Sequence, residues 1–550
     1  VNGLGTALRR RPRTRQRDER GYVAVVSGLL MLVLLGFSAF AVDVGHWYIE
    51  GQRAQRAADA AALAGVTKLP DDRLGAYSTA RQYATTNGYT SGTGTLVSPS
   101  LAGGSTRLRV DVSQDVPNIF GSLLGRPTTT VARHAVAEFA GPVPLGSPCN
   151  RFGDDPDPGS NISSNCSAAG NFFAMVGSEA VDKVQGDAFQ NGECSTSTSD
   201  GCTSGTNTDY DDDGYVYTIT LRQPVTNLTI EAFDPAQVVV GATCASNTTN
   251  RLSGAAALPA SRTVVSNPST RYQVGAGDWC TGDSEFSGDG LAKAQFTVRS
   301  PGTNPWEPTA WPVMGGSCAP KTFQPYNGNL QTVLDKTTSA YSARPDVAAN
   351  FRQWVNLCTV SGTVPAGSYA VQVKTNGLGN NNEGGHNRFS LRAYGSSGGD
   401  KNNIAVAGFN KMALFANTPS GTTTFYLARI PSNSSGQFFN VNLYDIGDGA
   451  TSGSYIRVVP PAETGGNFAG CVGKGRVNGN LTNCRVSVSS TFNGRWQTIT
   501  VPIPSTYSCT DSSPTGCWVR LEFNYGSGST PTDTTSWSAS LDGDPIRLVE

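Results

Sequence analysis

The chain has 550 residues, 41 Lys+Arg against 42 Asp+Glu, and only 15% charged side chains, where a soluble domain averages about 25%. Gly 64 and Pro 31 together make about 17% of the chain, above the usual ~12%, so the surface is carried by Gly, Ser, Thr and Asn, the material of strands joined by turns. A hydrophobic share of 38% excludes a disordered chain, and only three histidines (His46, His134, His386) exclude most histidine-based catalysis and zinc chemistry.

Residues 1–20 hold seven arginines (Arg9, Arg10, Arg11, Arg13, Arg15, Arg17, Arg20) against Asp18 and Glu19, so the rest of the chain is acidic. That distribution argues against a nucleic-acid partner, which needs a basic stripe on a folded domain. Residues 21–42, GYVAVVSGLLMLVLLGFSAFAV, carry no charge. At 1.5 Å per residue they reach about 33 Å, enough to cross a hydrocarbon core of about 30 Å. The run is longer than the apolar core of a signal peptide, so an uncleaved single-pass anchor in the lipid bilayer is expected. The arginines before it predict a cytoplasmic N-terminus and an exported bulk.

Past the span, Asp43 is followed by His46, Trp47 and Tyr48, residues suited to the membrane interface. Ala54, Ala57, Ala58, Ala61, Ala62 and Gly65 then recur at three- and four-residue spacing. This predicts a helix with a narrow face of small residues, able to pack closely on another helix of this chain or of a partner. The string Arg20-Gly21, Ala41-Val42-Asp43-Val44-Gly45, Tyr48 and Gln55-Arg56-Ala57-Ala58-Asp59-Ala60-Ala61-Ala62-Leu63-Ala64-Gly65 resembles the TadE/TadG-like family. A looser resemblance extends through a second helix at 71–86 to strands at 106–112 and 128–139. The resemblance implies a membrane-anchored component of the bacterial Flp (tight-adherence) pilus assembly machinery, with pilus-assembly membrane proteins as partners and the cytoplasmic membrane as its location. Prepilin-like relatives are cut after a glycine and carry Glu five residues on; here Gly21 is followed at that distance by Val26. The metal site of a von Willebrand A domain is also missing, since Asp111-Val-Ser113-Gln-Asp115 has Asp115 in place of the second serine.

All twelve cysteines (Cys149, Cys166, Cys194, Cys202, Cys244, Cys280, Cys318, Cys358, Cys471, Cys484, Cys509, Cys517) lie after the span, with no CxxC among them. They predict disulfides in an oxidising compartment, and pairing between successive cysteines is the simplest arrangement. Beyond residue 145, short alternating runs recur between polar turns: 215–221, 225–233, 368–373, 388–393, 424–430, 438–444, 455–459, 484–488, 496–501, 518–524 and 537–541. The fold class expected is therefore mainly β: an N-terminal transmembrane helix extended outside the membrane, a small α+β module, then antiparallel β-sandwich (jelly-roll-like) domains with disulfides. The divisions expected are a cytoplasmic tip (1–20), a span (21–44), a helix and α+β module (45–144), two sandwich domains (145–300 and 301–461, the latter capable of continuing the former), and a C-terminal jelly roll (462–550). Pro460-Pro461 reads as the last linker.

Asp209-x-Asp211-x-Asp213-Gly214 matches the first half of a calcium loop, with the three carboxylates as ligands of a structural Ca2+ ion. Position 12 is Thr220 rather than Glu, and a strand follows; an acidic turn opening that strand is the alternative. Asp154, Asp155, Asp157 and the pair Asp445, Asp448 are weaker acidic turns. The tryptophans from Trp496 onward suggest core packing or a sugar-stacking face. His386 reads as a polar turn residue, and no nucleophile elbow, HExxH or phosphate loop occurs. The function expected is non-enzymatic: an anchored pilus-assembly component, alternatively a calcium-stabilised adhesin for a glycan or matrix ligand, or a processed minor pilin.

Overall fold

The computed structural model describes residues 19–549 apart from 70–72, 103–106, 140–142, 154–160, 167–171, 196–198, 235–250, 254–277, 281–291, 303, 305, 326–338, 351–352, 379–384, 417–420, 448, 527–533 and 543–545. The Arg-rich tip up to residue 18, Cys244 and the acidic residues Asp154, Asp155, Asp157 and Asp448 lie outside the described residues. The chain divides into two compact units, one made of Val1–Leu69, Arg73–Phe139 and Ile546–Glu550, the other of Ala140–Pro545 with Pro70–Asp72.

In the first unit the apolar run and the Ala-rich segment form one helix, α1 (Glu19–Val66). No proline interrupts it, and alanine is the strongest helix former, so the helix continues where the apolar run ends. A second helix, α2 (Arg73–Thr86), buries Ala76, Ala80 and Ala84, one per turn. Three strands follow, β1 (Thr95–Leu101), β2 (Arg107–Pro117) and β3 (Thr128–Phe139). They form an antiparallel sheet in sequence order. In β2 the alternation of Leu108, Val110, Val112 and Val116 turns one face inward, against α1. The fourth strand of this sheet is the C-terminus: Ile546–Leu548 pairs antiparallel with β3, Ile546 opposite Phe139. Residues 546–548 therefore belong to this module rather than to the C-terminal jelly roll expected for 462–550. The second unit is an insertion between two strands of one sheet.

That second unit is a β-sandwich. Its first sheet runs, in spatial order, Trp354–Val364, Val225–Phe233, His386–Tyr394, Phe172–Gly177, Lys411–Ala416, Thr534–Leu541, Phe438–Tyr444, Trp496–Pro502, Cys471–Gly475, Gly479–Leu481. The second runs Lys321–Phe323, Ala294–Arg299, Gly367–Lys374, Tyr215–Leu221, Ile404–Phe409, Pro144–Leu145, Gly421–Arg429, Trp518–Tyr525, Tyr455–Val459, Arg485–Ser487. Aromatic rings close the space between them, with Phe296 edge-on to Phe389 at 5.2 Å and Phe172 to Phe425 at 5.6 Å. One hydrophobic core runs from Val143 to Ala539. The boundaries expected near 300 and 462 thus fall inside continuous sheets, and Pro460 is buried, its carbonyl accepting from the Arg520 guanidinium at 3.0 Å. Among the described residues five disulfides pin the sandwich: 149–166, 194–202, 318–358, 471–484 and 509–517. The 318–358 bridge spans 40 residues, the longest of the five. In the chain-entropy picture, closing a loop of that length contributes about 4 kcal/mol.

Candidate functional site

The anchor is built from α1. Its large apolar side chains from Tyr22 to Val44 are exposed all round the helix, a distribution that lipid stabilises and water does not. Among the described residues this is the one helix long and apolar enough to cross a membrane. Past the span the environment reverses. Ala54, Ala57, Ala58, Ala61 and Ala62 are buried, and so is Gly65. These small residues face α2, β2 and β3 of their own chain. Of the two packings expected for this face, on a helix of this chain or of a partner, the structure shows the first, against the Ala ridge of α2.

Asp43 ends the span. Its side chain is 3% exposed, and its carboxylate accepts from the backbone N–H groups of Ile119, Phe120 and Gly121 at 2.7–3.2 Å. One turn further, the Trp47 indole donates to Asn118 Oδ1 at 2.8 Å and meets Phe40 edge-on at 6.4 Å. The charge at the end of an apolar run is visible in sequence; its partners, over seventy residues away, are not.

In the structure the acidic turn is occupied by lysine ion pairs. Asp209 Oδ2 accepts from Lys183 Nζ at 2.6 Å and from the Trp496 indole at 3.1 Å. Asp211 Oδ2 is ion-paired with Lys411, and its Oδ1 accepts from the Asp213 N–H at 2.9 Å. Calcium at this turn has to displace both ammonium groups. Lys183 is wholly buried and lies over the Tyr444 ring at 5.1 Å. Burial pushes its pKa down, opposed by the hydrogen bond it donates to Asp209. The one described group of three potential metal ligands is Glu463, Cys509 and Cys517, and two of its members are joined in a disulfide. Asp445 is buried and accepts from the Gly494 N–H at 2.5 Å, an ordinary turn contact.

His386 corrects its expected place in a turn: it opens the strand His386–Tyr394 and is 1% exposed. It lies near Asp187, whose carboxylate accepts from the Tyr215 hydroxyl and from the N–H groups of Gly177, Phe189 and Gln190. Burial raises the pKa of Asp187. His386, Asp187 and Tyr215 are all buried, so the cluster lies inside the core. Of the seven tryptophans whose side chains are described, Trp311, Trp518 and Trp537 are buried and the other four are half-buried. One open cleft of about 660 Å³ is lined by Trp518, one of the tryptophans singled out in the sequence, and by Tyr426, Glu463 and Arg520 among others, which no motif singled out. The buried indole N–H of Trp518 has no protein partner among the described residues.

No curated protein matches the chain. Residues 21–68 match the family described as putative Flp pilus-assembly TadE/G-like, and that stretch is the exposed apolar helix together with its buried Ala-rich root.

Proposed function

We propose that this chain is a non-enzymatic, membrane-anchored component of a Flp-type pilus-assembly system, holding its β-sandwich outside the bacterial cytoplasmic membrane. One observation carries the reading: the family match ends within two residues of the end of α1, so the matched segment is the anchor and its root as a single rigid rod. Retention comes from residues 21–42, and the arginines before them keep the N-terminus inside. The insertion of residues 140–545 between β3 and the C-terminal strand ties both ends of the sandwich to the anchored module.

N-terminal mass spectrometry on washed membranes and on sheared surface filaments tests this. The expected result is protein in membranes only, with the Arg20–Gly21 bond intact. Filaments containing a form that begins at Tyr22 would instead make the chain a processed minor pilin. The cleft at Tyr426 and Trp518 supports a second reading, a surface adhesin for a hydroxylated ligand such as a glycan, since it pairs aromatic faces with Glu463 and Arg520. Glycan-array binding by the full chain that is lost in Y426A supports that reading, and no binding removes it.

A further inference from the structure

The hairpin of β2 and β3 descends along α1 toward the span, and its level is set turn by turn. Gln55 donates to the His134 carbonyl at 2.9 Å, and Gly51 leaves room for the Arg133 guanidinium, which a Cβ there would meet at 2.8 Å. Trp47 reaches Asn118, and Asp43 holds the N–H groups of Ile119, Phe120 and Gly121. Residues 55, 51, 47 and 43 succeed one another by about one helical turn each. The hairpin tip therefore sits level with Asp43, the residue after the uncharged run 21–42.

That tip is apolar. Ile119, Phe120, Leu123 and Leu124 are 54%, 39%, 82% and 87% exposed, four large side chains within six residues. Its backbone is also prepared for a medium without water. Besides the three N–H groups held by Asp43, Leu123 N–H donates to the Phe120 carbonyl, Gly125 N–H to Ser122 and Arg126 N–H to Gly121. Gly125, at φ +78, closes the turn. Satisfied donors matter because an unpaired backbone group in hydrocarbon costs several kcal/mol. Exposed Arg126 flanks the tip, as cations do at a lipid interface.

We propose that residues 119–124 form a second membrane contact, inserting Leu123 and Leu124 at the headgroup–acyl boundary beside the point where α1 leaves the bilayer. This rests on reading 21–42 as a membrane span. Lipid is the occupant the geometry favours, because the patch continues the exposed apolar surface of α1 at Phe40 and Val42. Asp43 acts as the clamp that fixes the depth of the tip relative to the span.

The test is spin-label accessibility in the full chain, reconstituted in phosphatidylcholine vesicles, with labels at L124C, S122C, L96C and L30C. These four side chains are exposed, so labelling leaves the fold intact. The ratio of oxygen to water-soluble nickel-chelate accessibility is expected to be several-fold higher at 124 than at 96 on β1, approaching that at 30. A ratio at 124 equal to that at 96, with 30 still lipid-exposed, overturns the tip contact alone. A label at 124 shielded from both reagents means a protein covers the tip, and also overturns it. If the label at 30 is itself water-accessible, the span reading fails instead.

Discussion

Lys183 has no exposed side-chain surface, and Asp209 balances its charge at 2.6 Å. Burial holds the pKa of this ammonium below its usual 10.5. A lowered folded value means the burial penalty is fully present at neutral pH and fades only as pH rises through the folded pKa toward 10.5. Removing the counter-ion should therefore matter: with Lys183 buried but Asp209 about a third exposed, D209N is expected to cost about 2–3 kcal/mol. The Lys411–Asp211 pair is partly exposed, so D211N should cost about 1 kcal/mol or less. Urea denaturation of the full chain at pH 7, with and without calcium, measures both. A calcium-dependent midpoint lost equally in the two variants would restore the metal loop. The Asp-x-Asp-x-Asp pattern was legible, but its role depended on lysines 26 and 200 residues away in sequence, which no local spacing reveals.

Gly65 sits where α1 meets α2 and β2. A Cβ there would lie 2.5 Å from Leu108 Cδ2 and 2.8 Å from the Ala76 carbonyl oxygen. Helix propensity favours Ala over Gly by about 1 kcal/mol. Overpacking against a backbone atom costs about 1–3 kcal/mol. The steric effect should win, because a carbonyl within α2 cannot rotate away. G65A is expected to lower the thermal midpoint of the far-UV helical signal, and a raised midpoint would show that α2 can shift. The small-residue face was readable from spacing alone. What it packs against was not, since the sequence of α1 is equally suited to a neighbouring subunit and to its own α2. Elements with clear alternation were likewise legible: Tyr215–Leu221, Val225–Phe233, Phe438–Tyr444 and Tyr455–Val459 form with the ends expected from the pattern. Phe172–Gly177 was missed because every residue in it is buried, which erases the period of two.

The sandwich unit is held together by strands that cross the expected boundaries. Thr534–Leu541 lies between Lys411–Ala416 and Phe438–Tyr444, and Trp518–Tyr525 between Gly421–Arg429 and Tyr455–Val459. A fragment ending at residue 461 leaves those central positions empty and exposes unpaired edges on both sides. Residues 140–545 alone should fold under oxidising conditions, giving a cooperative melt and a near-UV circular dichroism signal. Fragments 145–300, 301–461 and 462–550 should each lack that signal. A folded 301–461 fragment would overturn this view of the unit as indivisible.

Properties that depend on neighbours in sequence were set by the sequence itself. These are the uncharged run of the anchor, its continuation as an Ala-rich helix, the alternating strands, and cysteines placed so that successive ones can pair. Each follows from side-chain periodicity or loop closure over a few tens of residues. Tertiary structure alone decided that the Ala face is spent internally, that the acidic turn serves lysines, that Asp43 clamps a distant hairpin tip, and that residues 546–548 return to pair with β3. Those outcomes depend on which surfaces meet first among many chemically similar ones. Strand order and ion-pair choice are non-local, and a single chain's periodicities do not encode them separately.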